Sequence, residues 1–279
     1  QGVYGSRVTI HSVKSFHRLP FCGQFANLVI VSPSVNDEKS VASLAELFRI
    51  TRPNGGTILL KSPSPKLEHR CRQLAELPHP AGSFKLVRTK TNALSITRNP
   101  PFGAGEWSHL YGRADNTAYG TESLGDTKST GELQVQWFGL IGPRAQADRN
   151  GRKPSPLAKN GRLFVQGLHR IAALDSFNGS ILWSLEIPDF ERFNMPRDCG
   201  NWCVDDRYVF AAIKNQCWQI DAQTGKVVRF HQLPTNKMNR KKQDWGYIAR
   251  LGNTLLGSSV RRGSIYTNFW GKANAGWYD

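Results

Sequence analysis

The fold is decided by the stretch Asn160-Gly-Arg-Leu-Phe-Val-Gln-Gly167, Arg170-Ile-Ala-Ala-Leu-Asp175, Asn178-Gly179 and Ile181-Leu-Trp183, because the chain contains a second copy of it. The second copy reads Asp206-Arg-Tyr-Val-Phe-Ala-Ala212, Cys217-Trp-Gln-Ile-Asp221, Thr224-Gly225 and Val227-Val-Arg-Phe230. Asp175 and Asp221 lie 46 positions apart, and so do Gly179 and Gly225. A repeat of this length, with several short strands per copy, is typical of the blades of a β-propeller.

The turns inside the repeat contain the residue types that a hairpin of this kind requires. Asp175 and Asp221 end a strand and can accept hydrogen bonds from backbone N–H groups downstream. Gly179 and Gly225 can adopt the positive φ that closes the hairpin. Trp183 follows the first turn and is expected to pack between neighbouring blades. An ordinary β-sandwich with two similar hairpins is the alternative.

Parts of further copies flank these two. Phe230 is expected to take the place of the tryptophan in the second copy, and a third copy is expected to begin within Gly252–Ser259. Gly131–Trp137 resembles the closing strand of an earlier unit. Residues 107–279 are 173 positions, which at 46 per blade supply about four blades of an incomplete ring.

The first hundred residues alternate strands with helices instead. Helices are predicted over 41–50 and 66–77 from the spacing of apolar residues. Strands are predicted over 7–11, 27–31, 57–60, 84–89 and 93–97. The apolar run Asn27–Val31 is expected to be a central parallel strand covered on both faces. The sequence therefore predicts a multidomain chain with an α/β domain over 1–100, a linker over 101–106 and an all-β propeller part over 107–279.

Within the repeat, Ala173-Leu174-Asp175, Asn178-Gly179 and Ile181-Leu182-Trp183 follow a recognisable family pattern. They resemble the PQQ-like repeat of quinoprotein-type propellers, in which Ala-Leu-Asp precedes Thr-Gly, an apolar pair and Trp. The resemblance implies a blade and not a bound cofactor. Quinone-using dehydrogenases of this family add a calcium site, a catalytic Asp and often paired cysteines. None of these can be assigned here, so PQQ is not expected.

Three motifs in the first part follow another pattern: Leu19-Pro-Phe21, Phe25-Ala-Asn-Leu-Val-Ile-Val31 and Glu46-Leu-Phe-Arg-Ile-Thr-Arg-Pro-Asn-Gly-Gly56. Over residues 3–97 they resemble the second half of a class I methyltransferase domain, a Rossmann-like fold that normally uses S-adenosylmethionine. The Gly-rich turn and the acidic residue that hold this cofactor in the family would precede Gln1. The resemblance implies that the chain is a fragment, and that S-adenosylmethionine is bound only by a longer protein.

The junction Gly103–Trp107, with Ser108–Asn116 after it, joins the two parts. It resembles a rarer bacterial architecture in which a methyltransferase-like domain runs directly into PQQ-like blades. That resemblance implies a polar rim on the central face of the propeller, with possible ligand contacts from His109, Arg197, Asp198 and Trp202. A simple ion pair between Arg197 and Asp198 on a loop is the alternative.

The chain has 37 Lys and Arg against 21 Asp and Glu, which gives a net charge of +16. The densest basic cluster, Arg240-Lys241-Lys242, lies in no nucleic-acid motif, so a solvated loop is favoured over phosphate binding. Cys199, Cys203 and Cys217 lack the paired spacing of a zinc site, so no metal ligands are expected. No apolar run is long enough for a transmembrane helix.

Three functions are compatible with these patterns. The first is a binding scaffold, in which the propeller face holds a protein or a small molecule and no residue is catalytic. The second is an S-adenosylmethionine-dependent methyltransferase whose cofactor motif lies upstream, and the third is a quinone-dependent dehydrogenase. No specific nucleic-acid partner is expected. Quinoprotein-like propellers are mostly extracytoplasmic, which favours the bacterial envelope or periplasm, whereas methyltransferases are usually cytoplasmic.

Overall fold

The computed structural model describes residues 8–32, 43–76, 83–125, 127–139, 155–167, 169–190, 200–234 and 243–262. The chain divides into two compact units, unit 1 (Gln1–Phe102) and unit 2 (Gly103–Asp279). The division falls inside the segment 101–106 that the sequence marks as a linker. The assignment of unit 1 to a methyltransferase-like domain stays a prediction.

Unit 1 is a four-stranded sheet with two helices. Its elements are β1 (Leu28–Val31), α1 (Leu44–Ile50), β2 (Thr57–Leu60), α2 (Pro65–Glu76), β3 (Phe84–Arg88) and β4 (Leu94–Arg98). The strand order is β1-β2-β4-β3; β1 and β2 are parallel, and the other pairs are antiparallel. The parallel arrangement with crossover helices that the order of elements predicts is therefore found for β1 and β2 only. The predicted strand over 7–11 is wrong, since the described residues 8–11 form no strand.

Local chemistry explains where α1 begins and ends. The hydroxyl of Ser43 caps its first turn by accepting a hydrogen bond from the N–H of Glu46 at 3.3 Å. After the helix, Asn54 and Gly55 adopt φ values of 53° and 100°, the left-handed turn that the Asn-Gly pair predicts. Arg98 in β4 donates hydrogen bonds to the carbonyls of Phe48 (2.8 Å) and Thr51 (2.5 Å), so a buried cation closes the carboxyl end of α1.

The prediction that both faces of β1 are covered is wrong for the described residues. Leu28 and Ile30 are each 54% exposed, whereas Val31 is buried. β1 is an edge strand of the sheet and not the central strand predicted, and α1 and α2 pack with the strands into a single core on one face. An apolar run therefore indicated a strand but not how many of its faces are covered.

Unit 2 is built from antiparallel sheets, as expected of a partial β-propeller. Blade I consists of β5 (Leu157–Lys159), β6 (Arg162–Gly167), β7 (Arg170–Asp175) and β8 (Ile181–Glu186). Blade II consists of β9 (Trp202–Val204), β10 (Tyr208–Ile213), β11 (Gln216–Asp221) and β12 (Val227–Gln232). Hairpin III consists of β13 (Gln243–Leu251) and β14 (Thr254–Arg261). Each blade pairs its strands in chain order, and the hairpin turn at Gly252 matches the start predicted for the third copy.

The repeated turns have the predicted chemistry. Oδ1 of Asp175 accepts hydrogen bonds from the N–H groups of Phe177 (2.9 Å) and Asn178 (3.3 Å). Asp221 makes the same turn with the two residues that lie at the equivalent positions of blade II. Gly179 and Gly225 both adopt φ = 72°, as predicted. Because these turns have fixed geometry, they hold the third and fourth strands of each blade in the same register.

Trp183 packs between the blades as predicted, but Phe230 does not. Nε1 of Trp183 donates to the carbonyl of Ala222 in blade II at 3.0 Å. In the ladder, Trp183 lies opposite Ala173, and the residue at the equivalent position of blade II is Arg229, opposite Gln219. Phe230 is one residue further on, so it lies on the other face of the sheet, 49% exposed.

Candidate functional site

A short segment of unit 2, residues 106–112, crosses the first strands of three successive sheets. Trp107 exchanges two backbone hydrogen bonds with Ala158 of β5, at 2.8 and 2.9 Å. The carbonyl of Ser108 accepts from the N–H of Val204 in β9 at 2.9 Å. The imidazole of His109 accepts from the N–H of Arg250 in β13 at 3.0 Å. Because this stretch contacts the first strand of each sheet, we call it the central segment.

The contacts of His109 fix its protonation state. Nε2 accepts the hydrogen bond from the N–H of Arg250, so it carries no proton. The proton of the neutral ring is therefore on Nδ1, which lies 2.8 Å from the hydroxyl oxygen of Ser108 and donates to it. The side chain is only 3% exposed, and burial lowers the pKa of His109 to about 4. At neutral pH, His109 is thus an uncharged link between the central segment and β13.

Charged side chains surround this link where the first strands end. Nζ of Lys159, the last residue of β5, contacts the carboxylate of Glu106 and lies 3.3 Å from Oδ1 of Asp206, which follows β9. Asn160 donates to the same Asp206 oxygen at 3.1 Å. Burial alone would lower the pKa of Lys159, but hydrogen bonds to Glu106 and Asp206 outweigh it and raise that pKa. Lys159 therefore stays charged and joins blade I to blade II.

A second ion pair joins blade II to hairpin III. Nε of Arg250 donates to Oδ2 of Asp205 at 2.9 Å, and the guanidinium lies 5.3 Å from the centre of the Phe210 ring. Oδ1 of Asp205 accepts from the N–H of Tyr208 at 2.7 Å, which fixes the carboxylate in its turn. Lys159 and Asp205 are 46 positions apart, so successive copies of the repeat supply opposite charges at the same place.

We call these five residues the axial rim: Glu106, Lys159, Asp205, Asp206 and Arg250. Three of its side chains are largely covered, whereas Asp206 is 72% exposed and Glu106 is 37% exposed. The rim therefore combines a fixed base of ion pairs with two carboxylates that reach solvent. Such an arrangement can hold a cationic or hydrogen-bonding ligand, and it supplies no unpaired nucleophile.

Of the four residues predicted as ligand contacts, two are buried and two lie outside the described residues. His109 and Trp202 are 3% and 1% exposed, and Trp202 belongs to the apolar layer between blades I and II. Arg197 and Asp198 lie outside the described residues. The predicted contacts from all four stay a prediction. The sequence reasoning missed the ion pairs of the axial rim, because Lys159 pairs with Asp206 and Arg250 with Asp205 at spacings that differ from the repeat.

The described residues do not form a metal or thiol site. Among them, no three His, Cys, Asp or Glu side chains group together. Burial raises the pKa of Cys217 to about 12 and that of Cys203 well above its usual value. Both are free thiols in the apolar layer between blade II and hairpin III, as small buried residues. No helix in the described ranges has the length and apolar character needed to cross a membrane.

Several solved structures are similar to the chain. Quinohemoprotein alcohol dehydrogenase ADHIIG from Pseudomonas putida HK5 is 18% identical over 57% of this chain and 23% of its own, with a TM-score of 0.40. A europium-containing methanol dehydrogenase is 17% identical over 56% of this chain and 28% of its own, with a TM-score of 0.41. BamB from Moraxella catarrhalis is 16% identical over 37% of this chain and 33% of its own, with a TM-score of 0.27.

This chain thus spans about a quarter of the length of the two dehydrogenases. No family model matches the sequence, and no curated protein matches it. The propeller-like arrangement of unit 2 rests instead on its own repeat, strand order and contacts between blades.

Proposed function

We propose that unit 2 is part of a PQQ-like propeller that acts as a binding scaffold, and that its axial rim contacts a protein or small-molecule ligand. This proposal is supported by the geometry of the axial rim. Its ion pairs link three successive sheets, and the side chain of Asp206 is exposed to solvent. A ligand with a cationic or hydrogen-bond-donating group matches the two solvent-exposed carboxylates. The bacterial envelope is the proposed setting, from the resemblance of the repeat.

Site-directed photo-crosslinking tests this proposal. A photoreactive residue is placed at Asp206 and, as a control, at Leu182, which is 45% exposed on the outermost strand of blade I. The chain is irradiated in bacterial cells, and mass spectrometry reads any attached protein or small molecule. A defined product at position 206 and not at position 182 is expected. Equal products at both positions, or none at either, would contradict a ligand-binding rim.

The second part of the proposal concerns unit 1 and is supported by its strand order. A parallel pair joined by a helix, followed by an antiparallel hairpin whose last strand inserts beside the pair, matches the second half of a class I methyltransferase sheet. We infer that unit 1 is methyltransferase-like, and that it lacks the Gly-rich turn needed for S-adenosylmethionine. This order of strands is what supports the inference.

Calorimetry separates a scaffold from an enzyme. S-adenosylmethionine is titrated into the 279-residue chain and into a product of any longer reading frame that adds residues before Gln1. The chain alone is expected to give no binding heat at millimolar cofactor. Binding by the longer product would support the methyltransferase alternative, and no heat from either would leave unit 1 as a structural domain.

A further inference from the structure

The described part of the chain contains three Asn-Gly pairs at turns, which are Asn54-Gly55, Asn160-Gly161 and Asn178-Gly179. A fourth, Asn150-Gly151, lies outside the described residues. Such a pair can deamidate without an enzyme, because glycine has no side chain that shields its backbone nitrogen. That nitrogen attacks Cγ of the asparagine, a succinimide ring forms, and the side-chain nitrogen leaves as ammonia. Water then opens the ring and leaves an aspartate or an isoaspartate.

The three pairs differ in whether the attacking nitrogen is already hydrogen-bonded. The N–H of Gly55 donates to the carbonyl of Arg98 at 2.7 Å, and the N–H of Gly179 donates to the carbonyl of Asp175 at 2.9 Å. Among the described residues, the N–H of Gly161 has no such acceptor. Because a bonded nitrogen must first give up its hydrogen bond, the fold hinders the reaction at the first two sites and not at Gly161.

Asn160 is also the asparagine that solvent reaches most easily. Its side chain is exposed, whereas Asn54 and Asn178 are half-buried. Asn160 and Gly161 form the two-residue loop of the hairpin that joins β5 to β6, with φ values of 50° and 70°. The pair therefore lies at the tip of a hairpin, where water can enter and ammonia can leave.

We propose that Asn160 is a modification site that deamidates spontaneously in the folded chain, and that the product adds a fourth carboxylate to the axial rim. Nδ2 of Asn160 donates to Oδ1 of Asp206 at 3.1 Å, so the amide links blade I to blade II. An aspartate at position 160 is an acceptor only, and it places a like charge beside Asp206. An isoaspartate also adds a backbone carbon to a two-residue loop, which no longer fits the register of β5 and β6.

Peptide mapping by mass spectrometry tests the site. The 279-residue chain is incubated in mildly alkaline buffer, folded and in urea, and the conversion of amide to acid is followed at the three described pairs. In urea, where no fold hinders them, all three are expected to convert at similar rates. In the folded chain, Asn160 is expected to convert at least tenfold faster than Asn54 or Asn178, whose glycines must first break a backbone hydrogen bond. Conversion at Asn160 that is no faster than at the other two would overturn the proposal.

Matched variants test the effect on the axial rim. Asn160→Asp reproduces one product and is expected to lower the urea midpoint of tryptophan fluorescence. Asn160→Ala removes the donor without adding charge, so it should lower the midpoint less. Asp206→Asn in the Asn160→Asp chain restores a donor–acceptor pair with the roles exchanged, and should recover at least half of the loss. Equal midpoints for Asn160→Asp and Asn160→Ala, or no recovery in the double variant, would overturn the effect of the new carboxylate on the rim.

Discussion

At the scale of single residues, the buried imidazole of His109 makes unit 2 sensitive to acid. Its pKa of about 4 in the folded chain lies below the ordinary value of 6.5. The unfolded chain therefore binds a proton that the folded chain does not, and stability that is complete above pH 6.5 is lost as the pH falls toward 4. The loss expected between pH 7 and pH 4.5 is about 2 kcal/mol. Urea unfolding followed by tryptophan fluorescence at pH 7 and pH 4.5 measures it.

Two variants separate protonation from packing. His109→Gln retains an oxygen that can accept from the N–H of Arg250 but does not titrate, so the difference between the two pH values should shrink by most of that amount. Ser108→Ala removes only the acceptor of the Nδ1 proton, so its acid-dependent loss should persist. An unchanged pH dependence in His109→Gln would show that other groups cause the acid sensitivity.

At the scale of elements, the contact between Trp183 and the turn of blade II is expected to dominate the stability of the layer between the blades. Gly225→Ala places a methyl group 2.7–3.0 Å from ring atoms of Trp183 at a φ of 72°. The strained φ and the overpacking together are expected to cost about 2–4 kcal/mol. Gly252→Ala, at a φ of 53° with no atom within 4 Å of the new methyl, is expected to cost only about 1 kcal/mol.

A double-mutant cycle with Trp183→Leu isolates the contact. If the ring causes the extra cost, Gly225→Ala should be less damaging in the Trp183→Leu background than in the unmodified chain. Urea unfolding gives the four free energies of unfolding. Additive effects of the two substitutions would mean that the backbone angle alone accounts for the loss.

The same elements show what the sequence could predict. The turns at Asp175 and Gly179 were readable because few residue types can make them, and the strands between them followed from the repeat. Phe230 was placed on the wrong face because it lies 47 positions after Trp183 and not 46, so Arg229 takes the equivalent position. The bulge beside it is not the cause, since blade I has the same bulge between Ala173 and Leu174. The His109–Arg250 link spans 141 positions, and periodicity contains no information about such pairs.

At the scale of the whole molecule, each unit has its own apolar core, so the two are expected to unfold independently. The eight tryptophans all lie in unit 2, at positions 107, 137, 183, 202, 218, 245, 270 and 277. Both described α-helices lie in unit 1. Tryptophan fluorescence therefore reports unit 2, and circular dichroism at the helical wavelength reports mainly unit 1.

Arg98→Met tests this independence. It leaves the carbonyls of Phe48 and Thr51 without the Arg98 donor and is expected to destabilise unit 1 by about 2–4 kcal/mol. The helical transition should then fall in temperature while the fluorescence transition stays unchanged. Arg88→Met, on the neighbouring strand β3, breaks a partly exposed ion pair with Glu68 of α2 and is expected to cost less than about 1 kcal/mol. If Arg98→Met lowered both transitions together, the two units would unfold as one cooperative domain, because only coupled cores transmit such a change.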